Sequence, residues 1–376
     1  MRIPLSAPDI TEADIAAVSG VLRTPRLSLG PQLEEFENSI ARYIGTSHAV
    51  AVNSGTSALH LCIRALGISE GDEVIVPSFA FIAVANVLRY ERAVPVFVDI
   101  DPHTLNLDLA RIEEAITPRT RAIIAVHTFG CPVELDEILS IARRHQLLVI
   151  EDACEALGAE FDAQRVGSFG HAAVFGFYPN KQITAGEGGM LVTKDSNVAA
   201  LARRLRNQGR NESSEWFQHE ELGYNYRISE LNCALGATQL QRLESILEKR
   251  EAIARQYHRR LADLPGLQLP AIELPRRRIS WFVYVVRLDE RFEATHRDQI
   301  IQEMSSRGIA CGRYFAPIHL QPAYRVQPHR CMTLAHTESI APRTIALPFF
   351  NKISVEQIEE VCQTLGELLS KMRAQS

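Results

Sequence analysis

Between residues 49 and 193 the chain alternates short apolar runs with helix-forming stretches, and this alternation restricts the fold more than any other feature of the sequence. The runs are 49–52, 73–76, 94–98, 122–126, 147–150, 172–177 and 190–193. Several have apolar residues on both faces, as strands covered by helices do. Helical segments fall between most of them, at 57–66, 81–89, 109–116 and 135–145. This order predicts an α/β fold with a mostly parallel sheet. Upstream, residues 12–22 make a short helical stretch in a turn-rich arm. Leu33, Phe36, Ile40 and Ile44 then repeat at helical spacing and stop near Gly45.

After Lys194 the pattern changes. A charged segment, 201–221, leads to Ser229, which is placed to cap a helix running on to about residue 261. The turn-rich piece 264–275 reads as a boundary. Beyond it come a strand at 281–288, a helix opening at Thr295, a strand near 309–315 and a last helix from Ser354. The expectation is two domains, which suits 376 residues. Residues 1–262 would form a large α/β domain with an N-terminal arm and a long linking helix. Residues 263–376 would form a smaller α+β domain.

Composition removes several function classes. A net charge of −5 gives no electrostatic reason to expect nucleic acid or an anionic membrane as partner. No apolar run approaches a membrane span, and the first residues carry acidic side chains where a signal peptide needs an apolar core. Seven cysteines without a CxxC pair suit reduced thiols in a cytoplasmic protein. His329, Cys331 and His336 match no common zinc spacing, so no metal is expected. No glycine-rich dinucleotide fingerprint follows a strand and no Walker A sequence occurs. Arg276, Arg277 and Arg278 read as a solvated boundary.

Chemistry concentrates at the predicted strand ends. Residues 174–192, VFGFYPNKQITAGEGGMLV, frame Lys181 between an aromatic-rich strand and a glycine-rich turn. Pro179 and the glycines put Lys181 on a loop. Burial against apolar groups makes an amine nucleophilic, so such a framed lysine suits imine formation with a carbonyl cofactor, pyridoxal 5'-phosphate (PLP). A solvated loop lysine is the plain alternative. After run 49–52, Gly55, Thr56 and Ser57 open a helix, an arrangement that binds phosphate through free N–H groups; a simple N-cap reads equally well. Asp152 follows run 147–150 at the edge where a parallel sheet presents ligands. An acid there can hold a pyridine nitrogen protonated, or be a turn residue. An aromatic at the start of the helical segment that follows run 73–76, within Phe79-Ala80-Phe81, can stack on a ring or be core. His127 ends another strand at the same edge, as a substrate contact or a satisfied loop histidine.

Six ordered motifs, NSGTSALHLCIRALG, VIVPSFAFIAVAN, EDACEALGA, FGFYPNKQITAGEGGM, LGYNYRISELNCALGATQL and CGRYFAPIHL, resemble those of the DegT–StrS group of nucleotide-sugar aminotransferases across nearly the whole chain. The resemblance implies the fold-type I PLP-enzyme architecture and a homodimer with active sites at the subunit interface. It implies amino transfer from glutamate or glutamine to a nucleotide-linked keto sugar; a cyclitol or other keto ring as substrate, or a non-catalytic regulator, are the alternatives. In this resemblance Lys181 matches the imine lysine, and a related dehydratase class has histidine there. Asp152 matches the ring-nitrogen acid, Thr56 and Ser57 after Gly55 the phosphate cradle, and Phe81 the stacking position. Asn225 matches the asparagine that reaches the phosphate from the neighbouring subunit. Arg313, Tyr314 and His319 match a region lining the sugar-nucleotide side. Two positions depart from the commoner pattern: Gly176 replaces a phosphate-binding serine, and Glu155 replaces a glutamine or histidine near the cofactor.

Overall fold

A single eight-stranded sheet organises the molecule, in the order β1-β9-β8-β5-β4-β2-β3-β13. The structure is a computed structural model describing residues 2–211 and 218–373; residues 212–217 of the charged segment lie outside the described residues. In chain order the strands are β1 (His48–Val52), β2 (Glu73–Pro77), β3 (Val94–Val98), β4 (Thr120–Val126), β5 (Leu148–Asp152), β6 (Glu160–Phe161) and β7 (Gln164–Arg165). They continue as β8 (Ala172–Gly176), β9 (Gly189–Thr193), β10 (Leu267–Gln268), β11 (Arg277–Arg278), β12 (Tyr284–Leu288), β13 (Arg330–Cys331) and β14 (Thr344–Leu347). The seven predicted strands of the first half are all present. In the large sheet β9 alone runs antiparallel to its neighbours, so the carboxyl ends of the others share one edge.

Helices cover both faces. On one side lie α2 (Pro31–Ile44), α6 (Leu135–His145) and α8 (Glu230–Gln241), packed through Phe36, Ile40, Ile138, Ile141 and Cys233. On the other lie α3 (Gly55–Ala65), α4 (Ala83–Tyr90) and α7 (Ser196–Arg206), packed through Leu59, Ile63, Val84 and Leu205. The strands between them are buried on both faces, which is why their sequences are apolar runs rather than alternations. α1 (Glu12–Leu22) and the short α5 (Ile112–Ala115) complete this part.

The predicted helix from Ser229 to about residue 261 is two helices. α8 ends at Gln241 and α9 (Leu243–Leu261) begins after Arg242, whose side chain bonds Asp9 Oδ2 at 3.1 Å and Asp14 Oδ2 at 3.1 Å. Neither glycine nor proline marks the break. The contact that accompanies it joins residues 228 or more positions apart.

The C-terminal portion carries the three-stranded sheet β10-β12-β14 with α10 (Ala294–Ser306), α11 (Ala335–Ile340) and α12 (Val355–Arg373). Its core includes Ile253, Ala254, Tyr257 and Leu261 from α9, and Ile3 from the N-terminal arm. Elements from both sides of position 262/263 therefore share this core, and β13 returns to pair with β3 of the large sheet. The strand expected near 309–315 is absent. Only isolated bridges occur there, Ile309 to Ile3 and Gly312 to Ala346. The two ends of that segment pair with different partners, so no continuous ladder forms. The strand expected from Trp281 begins at Tyr284, because the Trp281 and Phe282 carbonyls are taken by Arg250.

Candidate active site

The site is built from the turns that follow β1, β5 and β8. Ser54 caps α3, its Oγ accepting the Ser57 N–H at 3.1 Å while its carbonyl accepts the Ala58 N–H. Among the described residues nothing accepts from the N–H groups of Gly55 and Thr56. Two free amides at the positive end of an 11-residue helix fit a bound phosphate. The Ser57 hydroxyl instead donates to Asn53 Oδ1 at 2.7 Å. Gly55 is closely fitted: a Cβ there would lie 2.9 Å from Cys154 Sγ, so the thiol would have to turn away to admit one. Gly176 is not forced in the same way, since a Cβ would meet nothing closer than 3.5 Å.

Cys154 thus joins the end of β8 to the start of α3, and its own N–H donates to Asp152 Oδ1 at 3.1 Å. Asp152 is the last residue of β5, in register with Val126 of β4 and Val174 of β8. Burial, with the Asp152 charge beside it, pushes the Cys154 thiol well up, so it is an inert neutral filler.

Lys181 lies on a loop without regular structure, as predicted. Its Nζ is 3.6 Å from Glu155 Oε1 and 3.9 Å from the centre of the Phe282 ring. Glu155 is buried, and its other oxygen accepts the Phe129 N–H at 2.9 Å. Burial raises the Glu155 carboxyl above the ordinary range, with Asp152 adding to the rise and Lys181 and the Phe129 N–H opposing it. Gln182 anchors the lysine loop by donating to the carbonyls of Glu155 and Ser280, at 2.6 and 3.0 Å. Tyr314 stands against the same group, its ring centroid 6.2 Å from Phe282 and 6.1 Å from Phe129. Phe81 follows β2 with its side chain exposed, while neighbouring Phe79 is wholly buried.

Three sequence candidates lie elsewhere. His127 is fully buried, with Nε2 3.2 Å from Glu151 Oε2 and Nδ1 accepting the Val133 N–H at 3.2 Å, so it is a structural residue and not a substrate contact. His319 has both ring nitrogens engaged, by Ser78 Oγ at 2.7 Å and Glu338 at 3.2 Å, and burial lowers its pKa. It ties the C-terminal portion to the end of β2. Arg313 is exposed and pairs with Asp298 at 2.9 Å; no described contact joins it to Lys181, Glu155 or Asp152. Asn225 lies beside the cradle of its own chain through its backbone, its carbonyl 3.5 Å from Asn53 Nδ2, with its side chain exposed. Phe282 was missed by the sequence reading. It was visible only as one apolar residue of a predicted strand.

A parallel-sheet edge that presents a framed lysine, a strand-end aspartate and an open helix N-terminus suits a phosphate-bearing carbonyl cofactor bound outside the carboxyl ends of the strands. The chain belongs to the DegT/DnrJ/EryC1/StrS aminotransferase family, whose profile matches residues 8–366. It is 41% identical to the GDP-perosamine synthase of Caulobacter vibrioides over 371 residues, 98% of each chain. Among solved structures it superposes on the PMP-form of the putative sugar aminotransferase Spr1654 from Streptococcus pneumoniae with a TM-score of 0.95, 28% identity and coverage of 100% and 99%. It is similar to S. venezuelae DesV in complex with a ketimine intermediate, with a TM-score of 0.89, 38% identity and coverage of 97% and 98%.

Proposed function

We propose that this aminotransferase uses PLP to move an amino group from glutamate or glutamine onto a keto sugar carried by a nucleotide. The observation that supports the reading is the packing of Cys154 against Gly55 and Gly176, with its N–H on Asp152, so that the open end of α3 and Asp152 lie beside the end of β8, from which the chain runs on to Lys181. When bound, the cofactor supplies an aldehyde that carries the amino group and a ring that withdraws electrons from the reacting carbon. Gly55 and Thr56 would hold its phosphate, and Asp152 would keep its ring nitrogen protonated. The exposed Phe81 would supply the face that stacks on its ring. Asn225 of a second copy completes the phosphate contacts, so the working unit is a homodimer. Lys181 Nζ takes a proton from the substrate carbon and returns it on the other side of the transfer, with the Glu155 carboxylate facing the charge that Nζ acquires. Tyr314 closes the substrate side of this group.

The likeness to a GDP-perosamine synthase makes a guanosine diphosphate sugar the first acceptor to try. Purified protein is expected to absorb visible light through the lysine-bound cofactor and to lose that band on adding glutamate. A panel of nucleotide-linked 3-keto and 4-keto sugars then identifies the acceptor by which one restores the band. Lys181→Ala is expected to lower turnover at least about 100-fold; full turnover in that variant would sink the mechanism.

A further inference from the structure

Asn225 sits between two tyrosines that are held unusually firmly. Residues 224–226 are extended, with Asn225 bridging Asn207, so alternate side chains point to opposite sides. Tyr224 and Tyr226 stack at 4.8 Å with their rings 9° apart, and both pack on the core that α3 lines. The Tyr226 hydroxyl is 3.0 Å from His60 Nδ1, and His60 Nε2 is 2.7 Å from Glu91 Oε1. Tyr224 OH donates to the same oxygen at 3.2 Å, and Arg64 holds the other Glu91 oxygen at 3.1 Å. His60 is 4% exposed, and burial lowers its pKa against the pull of Glu91. The neutral ring fits both contacts in one tautomer, Nε2–H donating to Glu91 and Nδ1 accepting from Tyr226. The Tyr226 carbonyl also accepts the Asn53 N–H at 3.0 Å, one residue before the cap of α3.

We propose that His60 and Tyr226 are positioning residues for Asn225, so that α3 serves two phosphates: one at its own N-terminus and one that Asn225 reaches in a second copy. This rests on the cofactor reading above. A clamp of this kind has a physical purpose, because an exposed asparagine on a free loop would lose its side-chain and backbone freedom on contacting the phosphate. Fixing the backbone on both sides removes the backbone part of that cost beforehand.

The test is a spectroscopic titration of full-length protein, stripped of cofactor, with PLP. Asn225→Ala is expected to weaken PLP binding about 10- to 100-fold, the usual effect of losing a hydrogen bond to a charged group. Tyr226→Phe keeps the stacked ring and should weaken binding about 3- to 10-fold; His60→Leu should do the same or more. Added to Asn225→Ala, Tyr226→Phe should cause no further loss, because the residue it positions is gone. An equal loss from Tyr226→Phe in both backgrounds would mean that it acts only through the cradle of its own chain, and the proposal would be overturned. Unchanged affinity in Tyr226→Phe alone would also overturn it. If the unaltered protein does not bind PLP, the cofactor reading fails and this proposal falls with it.

Discussion

Gly176, Gly189 and Gly55 all lie where β8, β9 and the cap of α3 converge, yet they answer to different constraints. Gly189 pairs with Val52 and Gly176, and a Cβ on it would lie 2.2 Å from the Ser54 carbonyl oxygen. That contact cannot be relieved without moving the cap of α3. Gly55 is bound by the thiol of Cys154, as described. At Gly176 the nearest atoms to an added Cβ are the Cβ and Sγ of Cys154, both at ordinary contact distance. Nothing in the packing requires glycine there, so Gly176→Ser is expected to fold normally. If its hydroxyl reaches the phosphate, it should tighten PLP binding about tenfold in an equilibrium titration, the effect of one added hydrogen bond of about 1.4 kcal/mol. Loss of affinity would show that the cradle at this edge is already full.

At the scale of elements, the end of β5 divides two adjacent carboxylates between opposite tasks. Asp152 meets the site, whereas Glu151 points the other way into the core. Its oxygens accept the N–H groups of Gly167, Phe169 and Gly170 at 2.6, 2.9 and 2.8 Å, together with His127 at 3.2 Å. Burial by itself would raise the Glu151 carboxyl; His127 and the backbone donors outweigh it and hold the group below its usual range. A carboxyl depressed in the folded state contributes stability above its unfolded pKa and loses that contribution as pH falls through the folded value. The loss therefore belongs to the acid side, below about pH 4.5. Glu151→Gln turns an amide nitrogen toward donors that need an acceptor. It is expected to cost about 3 kcal/mol at neutral pH in chemical denaturation, with a shallower decline of stability toward acid than the parent. An unaltered denaturation midpoint would contradict this account of how β5 is oriented.

Across the whole molecule, the C-terminal portion contributes to the site through Phe282, and α9 fixes that residue from the other side. Buried Arg250 donates through Nε to the Trp281 carbonyl at 2.7 Å, through Nη2 to the Phe282 carbonyl at 2.8 Å and through Nη1 to Asn351 Oδ1 at 2.9 Å. Burial lowers its pKa to about 10, with Asp9 opposing the fall. Arg250→Met keeps an unbranched apolar stem but loses the guanidinium, leaving two buried carbonyls and the part-buried Asn351 Oδ1 without this donor. It should destabilise the protein by about 3 kcal/mol or more in chemical denaturation. It should also reduce turnover, since the ring 3.9 Å from Lys181 Nζ loses its backbone anchor. Stability falling while turnover per folded molecule stays constant would separate Phe282 from the chemistry.

The strand-helix alternation and the positions of Gly55, Asp152 and Lys181 along it were legible because they are local. An apolar run, a proline before a lysine and a small-residue turn before a helix each act within a few residues. The resemblance to a family added Phe81 and Asn225, and the exposed side chain of Asn225 carries no local sign of the role proposed for it. Other features were decided only by tertiary contacts. Arg242 lies at the boundary between two helices without any helix-breaking residue, and bonds to Asp9 and Asp14 there. The segment after Ile309 has a strand-like sequence but is divided between Ile3 and Ala346. His127 stands at the correct sheet edge and is nevertheless consumed by Glu151 and Val133. Phe282 comes to Lys181 from 101 positions along the chain, by way of an arginine on a third element. Local sequence carries the propensity of a segment and the chemistry of its side chains. Which partner claims a hydrogen-bonding group is settled by competition among distant segments, and only the folded chain brings those competitors together.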